Sequence, residues 1–439
     1  MNRILMAATF IVAGPWIRTA AAQDRPRPAT KDAAPPSSGC AGRLDEETIV
    51  RCALAASPEV RQARAELDAI AGRRTTAAVV LPSNPTLAGT VAARRRPPPE
   101  AANVLNWGVM LQQELEIAGQ RGVRIDVVEA QAAAQVRRVG VAEQEVAAGA
   151  LAAFYEAIAA QEGLRFAGEL ARTAEALAVY AEGRAKEELV AGVEADVARA
   201  EATRIGLVRF EAERRLTESR AALALLLDTD SRGLVFPEAL PLVAASETLA
   251  GPLEERALRL RGELAAAQME RQVLERRLVL VRRERVPNPT LSAFWERGEI
   301  NDRIIGVGLS IPLPLPSPIG RTRAGEIAET LAQLRAAESS EELVRRRVRL
   351  EVVSARATLL ARQGAAALFK GDLVQRARAD LSALREAIGA RQISLREGLM
   401  WQRSLIELLQ ADIEARLGGA LALVELRRVA ALPLVGAGQ

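Results

Sequence analysis

Two pairs of residues in this sequence have types and spacing that could do chemistry. Cys40 and Cys52 are the only cysteines. In an oxidising compartment they form either a disulfide that closes a short loop or two free thiols. A lipid-acylated Cys40 is a less favoured alternative, because no apolar signal run lies beside it. Asp228 and Asp230 begin like a calcium-binding loop, but the later acidic ligand is missing. A turn that ends a helix is the better interpretation of this second pair.

The composition excludes several classes of catalytic and binding site. The chain has no histidine, so it cannot form imidazole metal sites or Ser-His and Cys-His catalytic pairs. It contains no phosphate-binding glycine loop, nucleophile elbow or metal-ligand spacing, and we therefore expect neither an enzyme nor a bound cofactor or metal. The 59 Lys+Arg residues alternate with 55 Asp+Glu residues, so we expect no nucleic-acid partner.

The amino terminus has the pattern of an export signal. Residues 1–22 carry a basic start at Arg3, an apolar run from Ile4 to Trp16 and three alanines at the end, which predicts a cleaved secretory signal. A transmembrane anchor is the alternative, although the run is shorter than the ~20 residues that a spanning helix needs. Residues 23–43 are rich in proline, serine and glycine and are predicted to be a disordered leader.

Two long proline-free stretches, 100–236 and 319–432, indicate long helices. Proline breaks helix interiors, and both stretches are filled with Ala, Leu, Arg and Glu. We expect each to fold back on itself, with a first helix over 119–181 that would be ~95 Å long. An apolar stripe in the last helix follows the helical repeat: Ile406, Leu409, Ile413, Leu417, Leu421 and Val424. Such helices favour a stacked coiled-coil tube over a compact bundle.

The segments between these helices alternate with a period of two, which is typical of strands. Apolar residues occupy every second position over 105–117 and 305–315, and shorter partners precede them at 84–93 and 288–295. Two hairpins and four strands of about ten residues result. One apolar face is what a tilted transmembrane strand needs, and a soluble sheet over a core is the alternative. The positions predicted to face lipid are Trp107, Val109, Leu111, Ile305, Val307, Leu309 and Ile311.

The sequence repeats itself, and the repeat predicts the domain organisation. Asn84-Pro-Thr-Leu87 recurs as Asn288-Pro-Thr-Leu291, and each half reads helix, strand, strand, long helix, tip, returning helix. The predicted units are a first repeat over 44–236 with a β-hairpin at 83–117, a linker at 237–252, a second repeat over 253–432 with a β-hairpin at 287–315, and a tail at 433–439.

Four membrane strands cannot close into a barrel, so the barrel must be shared between chains. An open edge in hydrocarbon leaves backbone groups unpaired at several kcal/mol each. Two chains would give eight strands, which is too narrow for a clear lumen, whereas three give twelve and enclose a pore. We therefore predict a mainly α protein with a small β-barrel. It would be a trimer with four strands per chain in a twelve-stranded barrel, continued by a long α-helical coiled-coil tunnel.

Three strings resemble those of the outer-membrane factor family, the TolC-like channels of tripartite efflux systems. They are Leu81-Pro-Ser-Asn-Pro-Thr-Leu87, Gln113-Glu-Leu-Glu-Ile-Ala-Gly-Gln-Arg121 and Val307-Gly-Leu-Ser-Ile-Pro-Leu-Pro-Leu315. The similarity covers residues 44–432 and is greatest to the branch attached to cobalt-zinc-cadmium type heavy-metal pumps. The resemblance implies a homotrimer in outer-membrane lipid, a periplasmic membrane-fusion adaptor and an inner-membrane proton-driven pump.

In such channels the tips of the helical hairpins meet the adaptor and gate the pore. The resemblance places the tip residues here at Val190, Gly192 and Asp196 in the first hairpin and at Arg391, Ile393, Ser394 and Glu397 in the second. Three copies of Glu397 would form a carboxylate ring, whereas Ser394 and Glu397 could equally form a helix capping box. We expect passive export of heavy-metal cations. Drugs or other small molecules as cargo, and a soluble periplasmic adaptor or coiled-coil scaffold, are the alternatives.

Overall fold

The computed structural model describes residues 40, 42–95, 103–241, 252–297, 302–315, 319–320, 322–369, 373–390 and 392–435. The predicted signal, nearly all of the predicted leader, most of the linker and Arg391 lie outside the described residues. The described part of the chain is mainly helical, with one four-stranded antiparallel sheet and one two-residue parallel pairing. The predicted class, mainly α with a small β element, is confirmed.

Nine helices lie in the described part of the chain, and the longest of them occupy the proline-free stretches. In chain order they are α1 (Glu46–Ala56), α2 (Pro58–Ala77), α3 (Gln120–Lys186), α4 (Gly192–Leu227), α5 (Leu253–Leu260), α6 (Gly262–Arg283), α7 (Ala324–Ala367), α8 (Leu373–Gly389) and α9 (Leu395–Val429). The helix α3 runs unbroken for 67 residues, which is about 100 Å at a rise of about 1.5 Å per residue.

Six strands are described, and four of them form one antiparallel sheet. They are β1 (Gly42–Arg43), β2 (Thr86–Arg95), β3 (Asn103–Glu114), β4 (Leu234–Val235), β5 (Thr290–Arg297) and β6 (Arg303–Ser310). The order in the large sheet is β2-β3-β5-β6, so the two predicted hairpins join through β3 and β5. The predicted strands 105–117 and 305–315 are too long, since β3 ends at Glu114 and β6 at Ser310. Pro312 and Pro314 have no N–H to donate to a strand ladder, which accounts for the end of β6.

The last residues before α1 are held by two contacts, so the expectation of a disordered leader up to residue 43 is wrong at its end. β1 pairs in parallel with β4, and the backbone N–H of Leu44 donates to the carbonyl oxygen of Val235 at 3.0 Å. Cys40 and Cys52 form a disulfide, with their Cα atoms 5.9 Å apart. Of the states considered for these cysteines the structure has the bridge, which fastens Cys40 to α1.

Buried side chains form three clusters along the helices. The first joins α1, α3, α4 and α9 with the segment after α4, where Phe236 and Leu240 are buried. The beginning of the predicted linker therefore packs in a core. The second cluster lies beneath the turns that join α3 to α4 and α8 to α9, and the third joins α5, α7 and α9. Four residues of the stripe predicted on α9 are buried in these clusters: Ile406, Leu409, Ile413 and Val424. Leu417 packs against the first cluster.

The long helices pack side by side in one layer. α3 packs against α4 on one side and against α9 on the other, and α9 packs against α7. Closer to the sheet, α3 also contacts α2 and α6, and α6 contacts α7. The outer members of the layer are therefore α4 and α7, one from each half of the chain.

The second long helix is interrupted, which the prediction of one long outgoing helix in each half did not include. The counterpart of α3 is divided into α7, which ends at Ala367, and α8, which begins at Leu373. Residues 370–372 lie outside the described residues. At the end of α7 the backbone N–H groups of Leu368 and Phe369 donate to the carbonyl oxygens three residues earlier, at 3.1 and 3.2 Å, so the last turn is tighter than an α-helix.

Candidate functional site

The large sheet presents one apolar face. Directly opposed residues of antiparallel strands share a face, and Val109 is opposite Trp295, which in turn is opposite Ile305. The large apolar side chains of this face are Leu87, Val91, Leu105, Trp107, Val109, Leu111, Leu291, Trp295, Ile305, Val307 and Leu309. Most of them are exposed in the single chain, and Val307 is exposed to 80%. Of the positions predicted to face lipid, only Ile311 lies outside these strands, after the end of β6.

The opposite face of the sheet carries mostly small and polar residues, and its large apolar side chains are Met110, Phe294 and Ile304. Phe294 lies across Gly306, because a Cβ atom at this glycine would be only 2.3 Å from the phenyl ring. At Gly308 a Cβ atom would be 2.6 Å from the Oγ atom of Ser292. The glycines that alternate with the apolar residues in the sequence thus have a packing role. They let side chains of the neighbouring strand β5 lie flat over β6.

The first hairpin tip is the turn between α3 and α4. Val190 is half-buried, whereas Gly192 and Asp196 are exposed. Arg199 of α4 reaches back to α3 and forms ion pairs with Glu175 at 2.7 Å and Glu182 at 2.6 Å. The hydrogen bond from Arg199 holds the pKa of Glu182 below its usual value. This tip is therefore fastened on its α4 side by charge-assisted bonds.

The second hairpin tip begins α9 with a complete capping box. The backbone N–H of Glu397 donates to Ser394 Oγ at 3.2 Å, and Glu397 Oε2 accepts from the Ser394 backbone N–H at 2.9 Å and from its hydroxyl at 2.7 Å. The backbone bond, followed by the hydroxyl bond, lowers the pKa of Glu397. The cap is thus intact above the ordinary glutamate pKa and is lost as pH falls through the lowered value. Ile393, next to the cap, is half-buried.

The two tips lie close together. Ala195 of α4 and Ile388 of α8 belong to the same buried cluster, and Ile393 packs against it. The structure therefore brings the candidate residues of both tips to one end of the layer, far along α3 from the sheet. Arg391 lies outside the described residues.

Replacing Gly398 with alanine is expected to disturb the second tip. A Cβ atom at Gly398 would be 2.4 Å from Cδ1 and 3.0 Å from Cγ1 of Ile388, a buried residue of α8. Overpacking of this kind costs about 1–3 kcal/mol. Gly192 is a matched control in the first tip, because a Cβ atom there meets only open space. Thermal unfolding of both alanine variants tests this, and equal melting temperatures would contradict it.

A buried ion cluster joins α3 to α9, and the sequence analysis did not find it. Arg416 donates to both carboxylate oxygens of Glu162, at 2.7 and 2.9 Å, and to Asp412 Oδ2 at 2.8 Å. All three residues are almost fully buried. Burial alone would lower the pKa of Arg416, but the bonds to Glu162 and Asp412 outweigh it and the pKa is raised. The available signal was the acid and base four residues apart beside the apolar stripe of α9.

The described residues contain neither a membrane-spanning helix nor a cluster of metal ligands. No helix in this part of the chain combines the length and the apolarity that are needed to cross a membrane. No three His, Cys, Asp or Glu side chains in the same ranges lie together in a way that could hold a metal ion.

Comparison with known proteins identifies the fold. No family model matches the sequence, and neither does any curated protein. The solved structure of CusC, studied for the changes that accompany folding and transmembrane channel formation, is 13% identical, covers 90% of this chain and 93% of its own, and has a TM-score of 0.70. The outer-membrane channel OprN is 18% identical over 89% of this chain and 90% of its own, with a TM-score of 0.73.

The MtrE outer-membrane channel of Neisseria gonorrhoeae, solved in its open state, is also similar. It is 19% identical, covers 89% of each chain and has a TM-score of 0.67. At such identities the likeness concerns the path of the backbone. This chain therefore has the fold of outer-membrane channel proteins.

Proposed function

We propose that this chain belongs to the outer-membrane factor family and forms the outer-membrane channel of a tripartite efflux system. The observation that carries the proposal is that the folded chain is unfinished at both of its edges. In the described sheet, β2 and β6 each pair with one strand only. In the helical layer, α4 and α7 each carry a second apolar stripe that this chain leaves exposed.

The helix α7 has apolar stripes on opposite sides. The stripe buried within the chain consists of Val348, Val352, Ala355 and Leu359. The exposed stripe repeats at intervals of seven and three residues, which is coiled-coil spacing: Leu343, Leu350, Val353 and Leu360. At about 100° per residue the two stripes lie roughly 160° apart. A soluble surface helix would carry polar residues on the second side, so this spacing favours contact with another helix.

The helix α4 has the same two-sided pattern. Its buried stripe includes Ala195, Ala198, Ala202, Ile205 and Leu223. Its exposed apolar residues lie on the opposite side: Val193, Val197, Leu207, Phe210 and Leu225. Phe210 is exposed to 60% and Leu225 to 82%. Charged residues such as Arg214 and Glu218 lie between them on this side. Exposed large apolar side chains on the outward side of an outer helix mark an interaction surface.

A ring of chains would cover all of these edges at once. If α4 of one copy packs against α7 of the next, two unlike surfaces meet, and repetition of that contact closes a ring. The same arrangement of neighbouring copies would pair β2 of one copy with β6 of the next. Three copies then give twelve strands, whose apolar face would contact outer-membrane lipid while the small and polar face would line a wet lumen.

The helical layer would carry this conduit into the periplasm. We propose that the tips dock a membrane-fusion adaptor, which links the channel to a proton-driven pump in the inner membrane. Exposed apolar side chains at the first tip, Leu189 at 49% and Val193 at 71%, support a protein contact there. At the second tip, three copies of Glu397 would add a negative ring that attracts cations. The capping box is compatible with this ring, because a capped carboxylate keeps its charge.

The oligomer is tested by one substitution on the exposed stripe of α7. Leu350→Glu is expected to abolish the trimer, because it places a carboxylate in an apolar seam three times per ring. Thr358→Glu is the control, since it adds the same charge to an exposed position of α7 outside the stripe. The oligomeric state of each variant is measured by membrane fractionation followed by size-exclusion chromatography in detergent. Recovery of the unmodified protein as a soluble periplasmic monomer would overturn the channel proposal.

We propose heavy-metal cations as the cargo, on the strength of the three strings that resemble the heavy-metal branch. The channel itself would be passive, and the pump would select the cargo. The test is deletion of the gene, followed by growth with zinc, cobalt, cadmium, copper and organic drugs. Increased sensitivity to metals supports the proposal. Sensitivity to drugs alone would assign the channel to the alternative cargo.

A further inference from the structure

Two arginines face each other at the end of the second β-hairpin. Arg297 ends β5 and Arg303 begins β6, and the two residues are directly opposed in the strand register. Both side chains are exposed. Opposed residues of an antiparallel pair have Cβ atoms about 4.5–5.5 Å apart, and like charges at this distance destabilise the pairing. The pair therefore needs a counter-charge to be favourable.

No counter-charge comes from the part of the chain that the structure describes. Neither arginine forms an ion pair or a side-chain hydrogen bond with a described residue, although ion pairs are frequent along the helices. Among the described acidic residues near the pair, Glu296 is opposite Ile304 and thus lies on the other face, and Asp302 forms no ion pair with either arginine. Within the described residues the guanidinium groups are therefore available to an external anion.

The position of the two arginines in the sheet indicates where such an anion would bind. Trp295 and Ile305 are opposed to each other one pleat away, so the arginines lie on the apolar face of the sheet and directly continue it. The ring of Trp107 contacts Trp295 at 5.3 Å between centroids, which places an aromatic pair at the same end. This end carries the hairpin loops and is the one farther from the helices. Aromatic residues at the edge of an apolar band are typical of the boundary between lipid tails and head groups.

We propose that Arg297 and Arg303 bind the phosphate groups of anionic membrane lipids at the outer rim of the barrel. The inference rests on the proposed channel function, because it needs the apolar face in contact with lipid. Guanidinium groups bind phosphate through paired hydrogen bonds, and two of them side by side match the charge of a phosphate monoester. The Trp107 and Trp295 rings hold the adjacent acyl chains at the depth that brings the head group to the arginines.

Quenching of tryptophan fluorescence by brominated lipids tests this in the intact trimer. Reconstituted protein is compared in vesicles that contain brominated phosphatidic acid or brominated phosphatidylcholine. We expect phosphatidic acid to quench at a lower mole fraction, by about fivefold for each arginine. Arg297→Gln/Arg303→Gln should remove this preference, and Arg297→Lys/Arg303→Lys should keep most of it. Arg137→Gln/Arg172→Gln, which removes two exposed arginines of α3, is the matched control and should keep all of it.

Each outcome decides one point. Equal quenching by the two lipids would overturn the phosphate site but leave the channel function standing. Quenching by neither lipid would show that the sheet does not contact lipid, and the channel proposal would fail with it. Saturable binding of inorganic phosphate to the trimer in detergent, together with equal quenching by the two lipids, would mean that the arginines bind free phosphate, and the lipid assignment would be wrong. A preference that survives the glutamine variant would also overturn the proposal.

Discussion

Replacing Arg416 with methionine is expected to destabilise the protein by about 3–5 kcal/mol. The substitution keeps most of the side-chain volume but removes the guanidinium group that lies between two nearly fully buried carboxylates, Glu162 and Asp412. Two carboxylates would then remain nearly fully buried without the guanidinium group that they share. Glu162 is in α3, whereas Arg416 and Asp412 are in α9. The substitution therefore weakens the contact between the two halves of the chain.

The control for this substitution is an ion pair of the same chemistry on the surface. Arg64 of α2 bonds Glu143 of α3 at 2.7 Å, but its side chain is exposed to 59%. Arg64→Met should therefore cost less than about 1 kcal/mol. Thermal unfolding followed by helix circular dichroism compares the two variants. The interpretation is wrong if both melt at the same temperature. A double variant that combines Arg416→Met with Glu162→Gln should lose less free energy of unfolding than the sum of the two single losses, because the two residues form one ion pair.

Val307→Lys is expected to prevent stable insertion of the sheet into a membrane. Val307 is exposed to 80% on the apolar face, on an edge strand between Ile305 and Leu309. A lysine facing lipid near the middle of a bilayer costs about 2–4 kcal/mol, and a trimer would contain three of them. We expect loss of the outer-membrane trimer and accumulation of misassembled chain. Heat-modifiable migration on gels and outer-membrane fractionation measure the effect.

The same charge on the other face is the control for Val307→Lys. Thr90 is exposed on the small and polar face, in the opposite edge strand β2. Thr90→Lys should assemble as a trimer, because a lysine there would meet water. If both variants assembled equally well, the apolar face would not be a lipid surface. If both failed, the assignment of the two faces would be unsupported.

The fold class was predictable because its signals are local. Long helices require only the absence of proline and a supply of residues with high helix propensity, and both are visible in 100–236 and 319–432. The alternation around Trp107 and Ile305 likewise assigns side chains to two faces without knowledge of the partner strands. The ends of elements were less predictable. β6 ends at Ser310 although the apolar alternation continues, because Pro312 and Pro314 have no N–H group to donate to a neighbouring strand.

The sequence by itself determined the helices, the strands, their repetition and the residue types at the tips. Only the tertiary structure decided which residues of distant segments meet. It joined β3 to β5, bonded Cys40 to Cys52 and enclosed Arg416 between two carboxylates. It also distinguished the two apolar stripes of α7, of which one is buried and one is left exposed. The physical reason is that periodicity reports which side of an element is apolar, whereas burial depends on what the rest of the chain places against that side.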